Sequence, residues 1–245
     1  GLAKDEILKD HRDPDGLTKA LRVDSRGMSK EERVALLSDM PFFDRDGVHD
    51  IYKEWRKVFD EYEGDRMSVA EAYIYPTSRL TRYVRPGELH QVFNFDFLLV
   101  EWNATAIKES ISRVISELEE VGAPPTWALD NHDSPRVVSR LQDPVKARAL
   151  ALITHALPGG IYIYQGEELG LFEVRDIPEN RLEDPIWKMS GHTDRGRDGC
   201  RVPIPWTKDA AGAHGFSSDK SLTVDKAWLP QSSGWGERAV DTQQG

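Results

Sequence analysis

One cysteine, Cys200, stands in 245 residues, so no internal disulfide can form and no cysteine-built zinc site is available. That usage suits a reducing compartment, and the expected location is the cytoplasm. Long apolar runs are missing too. None approaches the roughly 18 to 20 residues needed to span a bilayer, so no membrane association is expected. Basic charge is scarce: 32 Lys and Arg against 42 Asp and Glu leave a net charge of −10, and no Lys/Arg run exceeds two residues. Phosphate neutralisation needs a basic face, which argues against a nucleic-acid partner.

What is present suffices for a sizeable core, with 39% hydrophobic residues. A small neutral or polar substrate fits the charge balance better than a polyanion. The chain opens on "GLAKDE" without Met or signal peptide and stops at "VDTQQG". It therefore reads as an excerpt from a longer protein.

Periodicity organises the middle of the chain. Residues 1–46 are charged and broken by Pro14, Gly16 and Gly27, which predicts loop with short helices. Ile51, Trp55, Val58, Phe59 and Tyr62 fall at helical spacing and predict a helix over 47–62 ended by Gly64. "RMSVAEAYI" predicts a strand over 67–72. "HQVFNFDFL" alternates Phe93, Phe95 and Phe97 against Val92, Asn94 and Asp96 and predicts a second, over 91–97. Asn103 is placed to cap a helix carrying Ile107, Ile111, Val114, Ile115, Leu118 and Val121 on one stripe, closed by Gly122. "PPTWALD" then predicts a third strand (125–130). Asp143 and Pro144 start another helix, and "GGIYIYQ" predicts a fourth strand (160–164). Alternating strands and helices of this length predict an α/β fold with a parallel sheet, four units being half of an eightfold barrel. After Gln165 periodicity fails over the remaining 80 residues or so, and residues 166–245 are expected to be long loop.

In parallel barrels the reacting groups come from the C-terminal ends of strands. Glu71 closes "MSVAEA", the cluster Asp130, Asn131, His132 and Asp133 follows "TWAL", and Gln165, Glu167 and Glu168 follow "IYIY". Carboxylates gathered there raise one another's pKa values, so one can act as acid while another stays ionised, the equipment of glycoside hydrolysis. Each residue has a plainer reading. Asp133 before Ser134-Pro135 is also placed to cap a helix; Glu71 fits an ordinary strand-end charge, His132 a structural histidine, and the three phenylalanines core.

Taken in order, "VAEAY", "FNFDFL", "ALDNHDSPR", "IYIYQGEELGL" and "GRDGCRVPIPW" resemble the second half of the catalytic barrel of the alpha-amylase superfamily, glycoside hydrolase family thirteen. The likeness is greatest to its bacterial alpha-glucosidase and oligo-1,6-glucosidase branch and runs from Gly1 to about Trp235. It implies a partial (β/α)8 TIM barrel made of strands five to eight with their helices, the N-terminal half-barrel and a C-terminal β domain lying outside. It implies a retaining alpha-glucosidase of short oligosaccharides or sucrose; no cofactor and no metal ligand is expected among the residues of this chain, any calcium loop of the family lying in the part outside it. Glu71 matches the general acid/base, Asp133 the carboxylate that grips sugar hydroxyls, His132 its neighbour on the same sugar, Arg136 a pocket-lining arginine and Phe95 an entrance aromatic. The family's nucleophilic Asp, in a "GFRxDV" run on the fourth strand, has no counterpart here, and neither Asp5 nor Asp10 fills the vacancy. The isolated excerpt is therefore expected to be inactive. A trehalose synthase or sucrose isomerase type of glucosyl transfer is the second reading, and a non-catalytic amylase-like protein the third.

Overall fold

The computed structural model describes residues 40–243 except Tyr73 and Tyr75, together with Glu32 and Ala35. Most of the expected lead-in, with Asp5 and Asp10, lies outside the described residues. The chain divides into two compact units. One runs to Ala128 and takes in Leu157–Ile161; the other holds Leu129–Ala156 and the residues from Tyr162 onward.

In the first unit, helix α1 (Gly47–Asp60) ends close to its predicted limit. Its packing face differs from the expected stripe. Val48 and His49 are buried, whereas Trp55, Val58 and Tyr62 are exposed. The first turn is the anchored part, because the buried Nδ1 of His49 meets Glu88 Oε2 at 2.7 Å and its ring stands edge-on to Tyr83 at 4.9 Å.

Strands β1 (Val69–Ala70) and β2 (Gln91–Val92) pair in parallel, with Val69 opposite Gln91. Both are shorter than their sequence patterns suggest. The prediction of strand through residue 97 fails at Asn94, whose side chain accepts from the N–H groups of Asp96 and Phe97, both at 3.2 Å. That cap turns the chain into a single helical turn, α2 (Phe95–Leu98). The alternating phenylalanines are thus a helix start that imitates a strand. Phe97 drops into the core and meets Trp127 edge-on at 4.9 Å.

Helix α3 (Ala104–Glu119) follows the pattern read for it: Asn103 caps Thr105 and Ala106, and Ile107, Val114 and Leu118 are buried. Every residue of β3 (Thr126–Ala128) is buried. Trp127 is fixed by an Nε1–H bond to Pro158 O at 2.7 Å, and Gly160, the first residue of β4 (Gly160–Tyr162), donates to Pro125 O at 2.9 Å. Thr126 Oγ1 donates to Val92 O, which ties β3 back to β2.

The second unit carries α4 (Val137–Leu141) and α5 (Pro144–His155), the latter capped by Asp143 on Val145 N at 2.8 Å as its sequence suggests. The stretch after Gln165, expected as long loop, has little regular structure but builds a core of its own. Leu171, Leu229 and Trp235 are almost wholly buried in it together with Val174, Ile177 and Val202. Its apolar residues are spaced irregularly, so periodicity could not reveal them. Among the described residues no helix is long and apolar enough to cross a membrane.

Candidate active site

In the second unit the candidate residues start where β3 ends. Leu129 and Asp130 continue inward and are buried, after which Asn131 Oδ1 accepts from Asp133 N at 3.0 Å and turns the chain outward. That turn puts His132 at the surface and Asp133 just below it, with His132 Nε2 3.5 Å from Asp133 Oδ1. Asp133 does not cap α4. The N–H of Val137 bonds Asp130 Oδ1 instead, and Arg140 closes on the same carboxylate at 3.4 Å while donating to Leu129 O at 2.7 Å. With the capping role taken by Asp130, the Asp133 carboxylate is left for other work.

Asp133 Oδ1 receives two guanidinium groups, Arg197 Nη1 at 2.8 Å and Arg201 Nη2 at 2.9 Å. No described group bonds its Oδ2. Both arginines are themselves braced. Arg197 forks onto Asp184 through Nε at 2.6 Å and Nη2 at 3.2 Å, and its backbone N–H adds a third bond at 2.9 Å. Arg201 Nε donates to the His132 carbonyl at 2.8 Å. Asp184 also caps the short helix α6 (Pro185–Met189). Burial pushes the Asp184 carboxyl up, but the Arg197 guanidinium and the Ile186 N–H outweigh it and hold the group at about 2. The approach is close enough to require Gly196: it adopts φ +69, and a Cβ there would lie 2.7 Å from the Asp184 Cβ.

Beneath this surface sits Arg136, 1% exposed. It donates from Nη1 to Gln165 O at 2.9 Å and from Nη2 to Cys200 O at 3.1 Å, and its guanidinium lies 5.1 Å from the Tyr164 ring centre. It therefore joins the His132–Asp133 turn to the ends of two later segments. Glu173 accepts from Arg136 N at 3.0 Å and is pushed up by burial to about 7. Glu167 is pushed up to about 8, first by burial and then by the charge of Asp130. Cys200 is buried, its Sγ 3.1 Å from Arg197 O, and burial raises the thiol to about 12.

Of the residues singled out by sequence, His132, Asp133 and Arg136 come together in the second unit. Glu71 and Phe95 stand on the first. Glu71 is solvent-exposed directly after β1. Phe95 is buried in the first turn of α2, 6.1 Å from Phe93 between ring centres, so it is a core residue as well as a candidate aromatic. Sequence reasoning passed over Arg197, Arg201 and Asp184. The only signal for the two arginines was the motif "GRDGCRVPIPW", in which they fall four residues apart, and Asp184 lies outside it.

A carboxylate with one oxygen held by two cations and the other open, beside an exposed imidazole, is suited to accepting hydroxyl protons of a polyol while staying fixed in place. A family profile described as "Alpha amylase, catalytic domain" matches residues 6–244. The chain belongs to the alpha-amylase catalytic-domain family. Maltase A1 of Drosophila melanogaster is 32% identical over 193 residues, which are 74% of this chain and 32% of that protein. Oligo-1,6-glucosidase of Parageobacillus thermoglucosidasius is 30% identical over 219 residues, 75% of this chain and 37% of that one. Among solved structures, the alpha-glucosyl transfer enzyme XgtA superposes with a TM-score of 0.69 at 32% identity, over 82% of this chain and 36% of its own. The chain thus spans about a third of the length of these relatives. Membership of the alpha-amylase family implies a (β/α)8 barrel as the fold to which these units contribute.

Proposed function

We propose that the chain supplies strands five to eight of the catalytic barrel of a retaining alpha-glucosidase that acts on short alpha-linked oligosaccharides or sucrose. The observation that carries this reading is Asp133, set at a strand end with His132 beside it and clamped on one oxygen by Arg197 and Arg201. In the proposed reaction Glu71 protonates the glycosidic oxygen and later activates water. Asp133 and His132 hold sugar hydroxyls and stabilise the oxocarbenium-like transition state. Arg136 keeps the turn that carries them in register. The nucleophilic carboxylate is assigned to none of the acids of this chain.

Two experiments test the reading. The full-length protein should release glucose from p-nitrophenyl alpha-glucoside, and residues 1–245 alone should not. A retaining route needs two carboxyl groups roughly 5 to 5.5 Å apart, and one of that pair is assigned elsewhere. Turnover by residues 1–245 that Glu71→Gln abolishes would refute the assignment. Glucosyl transfer is the second reading, favoured by the likeness to XgtA. It differs in the fate of the glucosyl group, and the ratio of free glucose to new disaccharide separates the two.

A further inference from the structure

Three large aromatic side chains of the second unit are left in solvent within one cleft: Trp206 at 47% exposure, Phe216 at 52% and Trp228 at 69%. The cleft encloses about 280 Å³, and Arg201 and Gln165 also line it. That volume falls just below the roughly 300–1,000 Å³ that enclose drug-sized ligands, room for one sugar ring rather than a chain.

The backbone under each aromatic is fixed. Gly212, Ala213 and His214 adopt φ of 66, 53 and 54, a left-handed run that reverses the chain just before Phe216. Two of the three pay the steric cost of a side chain in that region, and such strain survives only where the surroundings enforce it. Here the enforcing bonds run to the neighbouring aromatic: the His214 carbonyl accepts from Trp206 N at 2.8 Å and Thr207 N at 3.0 Å. Trp228 is held from behind, where Arg181 donates to its carbonyl at 3.2 Å and to Asp225 O at 3.0 Å. Rigid, exposed aromatic faces with polar groups at their edge are poorly suited to water and well suited to the C–H faces and hydroxyls of a pyranose. Arg136 also lines the cleft, its guanidinium fixed by bonds to Gln165 O and Cys200 O.

One residue connects this cleft to the chemistry. Arg201, which lines it, is the same arginine that bonds Asp133 Oδ1 and the His132 carbonyl. We infer that the cleft of Trp206, Phe216 and Trp228 is a binding site for a sugar ring of the substrate other than the one gripped by Asp133, and that Arg201 couples its occupation to the position of Asp133. The inference rests on the glucosidase reading for what the site serves, but not for what it binds.

The test uses the full-length protein with two substrates, maltotriose and alpha-glucosyl fluoride, the second having no further ring to place. Loss of one stacked face is worth about 0.5–1.5 kcal/mol beyond area, or roughly two- to twelvefold. Trp228→Ala should therefore lower the ratio of kcat/KM for maltotriose to that for the fluoride by about that factor, and Trp228→Phe should restore most of it. Calorimetric titration with maltotriose in a Glu71→Gln background, where the sugar is not consumed, gives a second readout, and Trp228→Ala and Phe216→Ala should each weaken Kd several-fold. A ratio and a Kd both within twofold of the unsubstituted protein would overturn the inference, as would the absence of any maltotriose binding. Binding that the substitutions weaken in a protein that cleaves neither substrate would keep the cleft and sink the glucosidase reading instead.

Discussion

The N–H of Val137 bonds the carboxylate of Asp130, 2.5 Å away, and not that of Asp133, three residues nearer the active surface. One acid of the quartet therefore serves the fold and the other is spared. Asp130→Ala should cost about 3 kcal/mol of stability, because it strips α4 of its cap and leaves Arg140 without its buried carboxylate. Chemical denaturation reads this directly. Asp133→Asn in the full-length protein should leave stability almost unchanged while kcat falls by orders of magnitude, since the lost charge is needed most in the transition state. Kinetics within twofold of the unsubstituted enzyme would return Asp133 to a structural role.

Glu71→Gln should also abolish most turnover of maltose. A substrate whose leaving group needs no protonation should recover its first step in this variant and should gain nothing in Asp133→Asn. Burst kinetics with alpha-glucosyl fluoride separates the two roles, and equal rescue of both variants would contradict them.

The two arginines on Asp133 are not equivalent. Arg197 also satisfies Asp184, whose side chain is fully buried, so Arg197→Ala should destabilise the fold by about 2–4 kcal/mol through an uncompensated buried charge. Arg201 is no more exposed than Arg197, but it bonds only one carboxylate within 3.5 Å and that carboxylate keeps Arg197 as a second partner. Arg201→Ala should keep the thermal midpoint within a few degrees and change the kinetics with oligosaccharides. Thermal melts of the two variants side by side decide it.

Stability should fall with rising pH between about 4.5 and 8. Glu173 and Glu167 ionise near their ordinary 4.5 when unfolded but at about 7 and about 8 when folded. Across that window the folded state holds protons the unfolded state has released, so the stabilisation present below pH 4.5 is lost as pH rises through the folded values. Glu167→Gln should flatten the decline in a series of melting curves. At the acid end Asp184 acts in the opposite direction: its contribution is present above its ordinary 3.8 and is lost as pH falls toward 2.

The elements that sequence rendered well are those whose signal is local. Asn103 and Asp143 cap the helices they were expected to cap, because an N-cap bonds only two or three residues ahead. Asn94 does the same and was hidden by the alternating phenylalanines around it, a pattern that satisfied the strand period while the cap decided the backbone. Glu71, His132 and Asp133 were legible as strand-end polar residues. Their partners were not: Arg197 and Arg201 reach Asp133 from far along a segment without periodicity, and only folding brings that segment back. Arg136 was legible as a residue of the motif but not as the buried brace it proves to be.

Cys200 has a practical side. It is the single thiol of the chain, fully buried, with its ionisation pushed to about 12. Thiol reagents attack the thiolate, so this sulfur stays silent under ordinary labelling conditions. The chain is thus a ready background for site-directed probes: a cysteine introduced at exposed Lys226, two residues from Trp228 and outside the cleft lining, would be the one reactive thiol, and a fluorophore there would report sugar arrival without any change to the native cysteine or to the aromatic faces.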